Sequence, residues 1–173
     1  ALAAFEKTIE LSQTLDVPRL SVEANWGLCR AYGYQGDLQQ AQIHAQQAID
    51  IATEAGDEWI ASLTRLTLGA SLMQAARYEA AETWLSRAAL GFEECSDPFG
   101  RITARLWLAY GWFKQKQLDR VAGNADELLD LAVPGGKVLI ADRPVAAVAV
   151  AGIGLEILRR KAVGLAAPHD RAA

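Results

Sequence analysis

Residues 18–57, PRLSVEANWGLCRAYGYQGDLQQAQIHAQQAIDIATEAGD, hold two runs of helical periodicity on either side of a Gly-Asp pair at Gly36 and Asp37. Glycine suits the position just past a helix end, and aspartate suits the N-cap of the next helix. In the first run Leu28, Cys29 and Tyr32 fall on one face; in the second Leu38, Ala41, Ala45 and Ala48 do. Spacings of three and four residues mark an amphipathic helix. The stretch predicts a helical hairpin.

The plan repeats at a shift of 40, without gaps. Ala41 maps onto Ala81 and Val121, Leu38 onto Tyr78 and Leu118, and Leu28 onto Leu68 and Leu108. Cys29 maps onto Gly69 and Ala109, Tyr32 onto Leu72 and Trp112, and Ala48 onto Ala88 and Leu128. The entry signals repeat as Asp16-Val17-Pro18, Gly56-Asp57-Glu58 and Ser96-Asp97-Pro98. One hairpin cannot bury its own apolar stripe, so stacked hairpins must reuse the same size class at each position. The small set lets helices approach closely; the large set fills the gaps, each burial being worth about 1.5–3 kcal/mol.

A small residue, an aromatic or Leu three later, and Gly, aromatic and Ala positions beyond it resemble the tetratricopeptide repeat. Its usual unit is about 34 residues. The longer period here, with its Gly-Asp and Asp-Pro-Phe-Gly joints, is similar to the sensor region of large bacterial LuxR-type, maltose-activator-like regulators and STAND ATPases. The resemblance spans residues 1–132. It implies an all-α fold: a right-handed, superhelical tetratricopeptide-type solenoid of antiparallel helix pairs.

The chain has 173 residues, enough for about four such repeats around a shared core. Apolar residues make up 51%, which argues against disorder. Lysine and arginine number 17 against 21 acidic residues, so the net charge is 17 − 21 = −4. That balance disfavours nucleic acid and anionic membranes as partners of this segment. Cys29 and Cys95 form no disulfide framework, and Cys29 reads as a small buried hydrophobe. A cytoplasmic protein is expected.

Residues 1–16 read as an unpaired second helix of a repeat, because counting back 40 from Ala41 and Ala45 gives Ala1 and Phe5. The chain is therefore expected to be a piece of a longer protein. Glu6 and Glu10 form a solvated face. Repeats follow at 18–55, 58–95 and 98–132. Val133-Pro134-Gly135-Gly136 is a turn opening a linker at 133–141. An apolar helix at 142–165 begins a partial fourth repeat, and 166–173 is a loose tail. The run Val145 to Leu155 is too short to span a bilayer and offers a homodimer contact within 142–160.

Catalytic signals are missing from the pattern. Gly135-Gly136-Lys137 lacks the first Gly and the following Ser or Thr of a phosphate loop. His44 and His169 have no partners at metal-ligand spacing and read as exposed surface groups. Glu93-Glu94 and Asp126-Glu127 are adjacent, so their carboxylates diverge on a helix. The expectation is a non-enzymatic segment without metal or cofactor.

In tetratricopeptide arrays the first helix of each pair lines the concave face. The resemblance thus assigns partner binding to Glu23, Trp26, Arg30 and Tyr34 from the first repeat. Leu63, Leu66, Ala70, Met73 and Gln74 follow from the second, and Leu106, Tyr110, Phe113 and Lys114 from the third. Such a surface suits an extended or helical peptide, with a partner carboxylate against Arg30 or Lys114. Trp107 and Trp112 are assigned to the core, Trp84 to the second helix of its pair, and Trp59 to a joint. The expected function is protein or peptide binding, or sensing, within a larger cytoplasmic transcriptional regulator. The alternatives are a small-molecule inducer-binding domain, with aromatics stacking the ligand, and a structural dimerisation array.

Overall fold

A computed structural model describes residues 2–132. The expected linker 133–141, apolar helix 142–165 with its dimer contact, tail 166–173 and His169 lie outside the described residues. Within them the protein is all-α. Seven helices follow one another: α1 Leu2–Leu15, α2 Pro18–Gln35, α3 Leu38–Glu54, α4 Glu58–Gln74, α5 Tyr78–Glu94, α6 Pro98–Lys114 and α7 Leu118–Ala132.

One joint recurs between them. Asp16, Gly36, Gly56, Ala76, Ser96 and Lys116 lie 20 residues apart, and each has a positive φ, from 52 to 79°. After each, the next amide reaches back five residues, from Val17 to Ser12, Asp37 to Tyr32, Asp57 to Ala52, Arg77 to Leu72, Asp97 to Phe92 and Gln117 to Trp112, at 2.8–3.0 Å. These bonds satisfy carbonyls that a helix end otherwise leaves orphaned. The chain reverses within two or three residues, which makes successive helices antiparallel neighbours. The next helix then starts on an N-cap. Asp37 accepts from the Gln40 amide at 3.1 Å, Asp57 from Ile60 at 3.2 Å, and Asp97 from Phe99 and Gly100 at 3.1 Å. Arg77 at the equivalent place makes no side-chain cap.

Each helix packs on the next, and in addition α2 meets α4 and α4 meets α6. The main core gathers Cys29, Ala41, Leu68, Ala81, Leu85, Leu108 and Trp112 from α2 to α6, with Val121 of α7. The small positions are where helices touch. A Cβ on Gly69 would lie 2.7 Å from Leu85 Cγ. Leu72 and Trp112 are buried, while Tyr32, Leu38 and Tyr78 pack on the core half-buried. Leu118, expected to fill the equivalent gap, is instead 48% exposed. Leu38 and Tyr78 stand between two described hairpins, whereas the main described neighbour of α7 is α6.

The joints make two measurable predictions. A left-handed residue with a Cβ carries strain of order 1–2 kcal/mol. Ala76→Gly and Lys116→Gly should therefore each raise the unfolding free energy by about 0.5–1 kcal/mol in urea titrations, whereas Gly36→Ala should lower it. Arg77→Asp should add the missing cap of α5 and stabilise by about 1 kcal/mol in the same assay.

Candidate functional site

The helices α2, α4 and α6 carry equivalent positions 40 residues apart on one face: 23/63/103, 26/66/106, 27/67/107, 30/70/110 and 34/74/114. Contact between these helices brings the positions into one continuous row. Trp26 ties the first two together, because its Nε1–H donates to Thr67 Oγ1 at 2.8 Å. The Thr67 hydroxyl in turn donates to the Leu63 carbonyl at 2.9 Å. The Arg30 guanidinium lies 5.4 Å from the centre of the Trp26 ring. On α6 the arrangement recurs: the Lys114 ammonium lies 5.8 Å from the Tyr110 ring centre, and Trp107 meets Tyr110 edge-on at 6.0 Å.

Several expected binding residues sit on this open row. Glu23, Arg30, Tyr34, Gln74 and Lys114 are exposed, Tyr34 at 75%. Trp26, Leu63, Ala70, Tyr110 and Phe113 are half-buried. Met73 requires correction: it is 2% exposed and belongs to the core. Its position points at the neighbouring helix, since a Cβ on Gly111 would lie 2.6 Å from the Met73 methyl. Leu106 is likewise buried, at 7%. Leu66 packs against two core clusters and offers only its remaining edge. Thr67, which was not singled out, and Trp107, assigned to the core alone, also belong to the row; they share the register of Gly27, which carries no side chain to mark the position.

Trp107 is half-buried against the core and edge-on to Tyr110, so it serves the core and the row together. Trp112 is in the core as expected, and Glu82 brackets it. Trp112 Nε1–H donates to Glu82 Oε2 at 3.2 Å, Arg120 pairs with the same carboxylate, and its guanidinium lies 4.3 Å from the Trp112 ring. Hydrogen bonding from Arg120, aided by Trp112, holds the Glu82 carboxyl below its usual range. Trp59 does bridge a joint, its Nε1–H donating to Asp97 Oδ2 at 2.8 Å.

His44 is not the exposed group expected. It is half-buried, stacked on Tyr32 at 5.5 Å, with Nδ1 2.9 Å from Asn25 Oδ1. The same pair of positions recurs at Arg105 and Asn124, where Arg105 donates at 3.0 Å. In the middle repeat the pair is Arg65 and Trp84, and Arg65 turns to Glu58 instead. Arg65, Trp84 and Arg87 line an open cleft of about 370 Å³ between α3 and α5.

Burial pushes the Cys29 thiol up to about 12, which removes it as a nucleophile. Among the described residues no group of His, Cys, Asp and Glu could hold a metal ion, and no helix is long and apolar enough to cross a membrane. Compared with known protein families and with curated proteins, the chain matches none.

Burial lowers the His44 pKa from its usual 6.5, against opposing contributions from Gln47 and Glu6. The unfolded chain then takes up a proton more readily than the folded one. Its contribution to stability is full above 6.5 and declines as pH falls below it. The lowered Glu82 adds a second loss, beginning as pH falls below its usual 4.5. The urea midpoint should drop between pH 7 and pH 5, and His44→Gln should flatten that part of the profile while leaving the decline below pH 4.5.

Proposed function

We propose that this segment is a non-enzymatic protein-interaction or sensor module that binds a peptide or protein along the face of α2, α4 and α6. The reading includes a right-handed superhelix of tetratricopeptide type, with that face concave, inside a larger cytoplasmic regulator. Support for the curvature comes from the contacts α2 makes with α4 and α4 with α6, which draw the first helices of the pairs into an inner row.

The observation that carries the function is the aromatic–cation row itself. Trp26 with Arg30 and Tyr110 with Lys114 hold cations over rings that are only half-buried. Each such pair is worth only about 0.5–1 kcal/mol at an exposed site. The rings and charges are consequently free to exchange these partners for a ligand's at little cost. Aromatic and arginine side chains are also the residue types that dominate binding energy at protein interfaces.

A second reading, binding of a small-molecule inducer, is favoured by the cleft of about 390 Å³ beside Trp26, a volume within the range of small-ligand sites.

Affinity capture from cells that make the full-length protein tests the first reading. The triple variant Tyr34→Ala/Tyr110→Ala/Lys114→Glu should lose a partner that wild type and the Arg87→Ala control both retain. Equal capture by the triple variant would move the interaction to another surface. The three positions are exposed or half-buried, so the melting temperature of the variant should stay within a few degrees of wild type.

A further inference from the structure

Where α2 and α4 begin, the first two hairpins part around a cleft of about 390 Å³. The internal repeat explains the space. At the equivalent joint 40 residues on, around Ser96, Phe92 fills this place at 1% exposure, packed so closely that a Cβ on Gly100 would lie 2.4 Å from its ring. The Gly56 joint has Ala52 in place of Phe92 and Ile60 in place of Gly100. The exchange of a phenylalanine for a methyl on one helix is not made good by the isoleucine on the other, and the cleft stays open.

Its walls are Val22, Trp26, Trp59, Ile60 and Leu63. Both indole N–H groups are already spent, Trp26 on Thr67 and Trp59 on Asp97. The two rings therefore present aromatic carbon rather than donors. Trp59 is 46% exposed, a large apolar surface in contact with solvent. The charge at the rim is unequal. Glu23 is paired with Arg19, whereas Asp57 has no cationic partner among the described residues. Asp57 uses one carboxylate oxygen to cap α4 through the Ile60 amide and keeps its negative charge at the mouth of the cleft.

We propose that this cleft is an anchor pocket for a peptide that inserts a bulky apolar side chain and sets an adjacent Lys or Arg against Asp57. The proposal rests on the peptide-binding reading above and supplies the partner's chemistry. The apolar walls select the side chain; the unneutralised carboxylate selects the sign of its neighbour. Arg30 already lies over the Trp26 ring, so the partner's cation belongs at the Asp57 end of the cleft.

The test uses the whole 173-residue chain labelled with ¹⁵N and three pentapeptides. These are acetyl-Gly-Phe-Lys-Phe-Gly-amide, the same peptide with Glu for Lys, and the same with Ala for both Phe. The lysine peptide should shift the indole N–H signals of Trp26 and Trp59 saturably and leave Trp84 unmoved. The glutamate and alanine peptides should bind at least about fivefold more weakly. Asp57→Asn keeps an oxygen for the helix cap and should weaken the lysine peptide by about three- to fivefold. The double variant Ala52→Phe/Ile60→Gly copies the filled joint and should abolish the shifts. Trp59→Leu, at an exposed site, provides a second variant read at the Trp26 signal and should also weaken binding. No saturable shift, equal binding of the lysine and glutamate peptides, or full binding by the filled-joint variant would overturn the anchor. These outcomes are independent of the capture experiment: if the triple variant loses its partner but the pentapeptides do not bind, the anchor fails and the face of α2, α4 and α6 stands.

Discussion

The structure depends on a backbone constraint, a left-handed residue every 20 positions followed by an amide that reaches back five residues. Each joint stops a helix, satisfies its end and turns the chain within two or three residues. Six such joints in succession place seven helices side by side without any long connection. Glycine relieves the strain only at Gly36 and Gly56. The other four joints carry a Cβ at the same φ, so packing of the flanking helices holds the backbone there. An unfavourable local conformation survives when the surrounding structure over-determines it.

With the joints spaced evenly, equivalent positions recur, and differences between repeats acquire meaning. The pair Asn25 and His44 and the pair Arg105 and Asn124 link first and second helices through polar groups. In the middle repeat, Arg65 leaves the same position to pair with Glu58, and Trp84 takes the histidine's place beside an open cleft. Likewise Phe92 and Gly100 close the joint at Ser96, while Ala52 and Ile60 leave the equivalent joint at Gly56 open. A repeat protein can specialise by one or two such exchanges, since the backbone is already held by the joints.

The row on α2, α4 and α6 shows how core and surface share side chains. Met73 and Leu106 were candidates for the row through the repeat resemblance, yet both are buried. Helix spacing places a residue within a sector about a third of the circumference wide. Whether that sector faces solvent or the next helix depends on how closely the helices approach. Met73 meets the backbone of α6 because Gly111 permits it. Tyr34, with no such neighbour, remains open.

Apolar periodicity, the Gly-Asp joint and the 40-residue shift were enough to determine that the described residues 2–132 are all-α and where their helices lie. Those signals are local: hydrogen-bonding partners lie within five residues, and caps act on the adjacent turn. The burial of Cys29, Leu28 and the alanines of α3 also followed, because the repeat demands a fixed size at each position. The half-period of 20 was less legible, since aspartate, alanine, serine and lysine give no sign of a positive φ. The tertiary structure alone decided that His44 stacks on Tyr32, that Met73 is core, and that a cleft opens beside Trp59. Each depends on side chains at least 12 residues apart meeting in space, and such meetings are set by how neighbouring helices fill the volume between them.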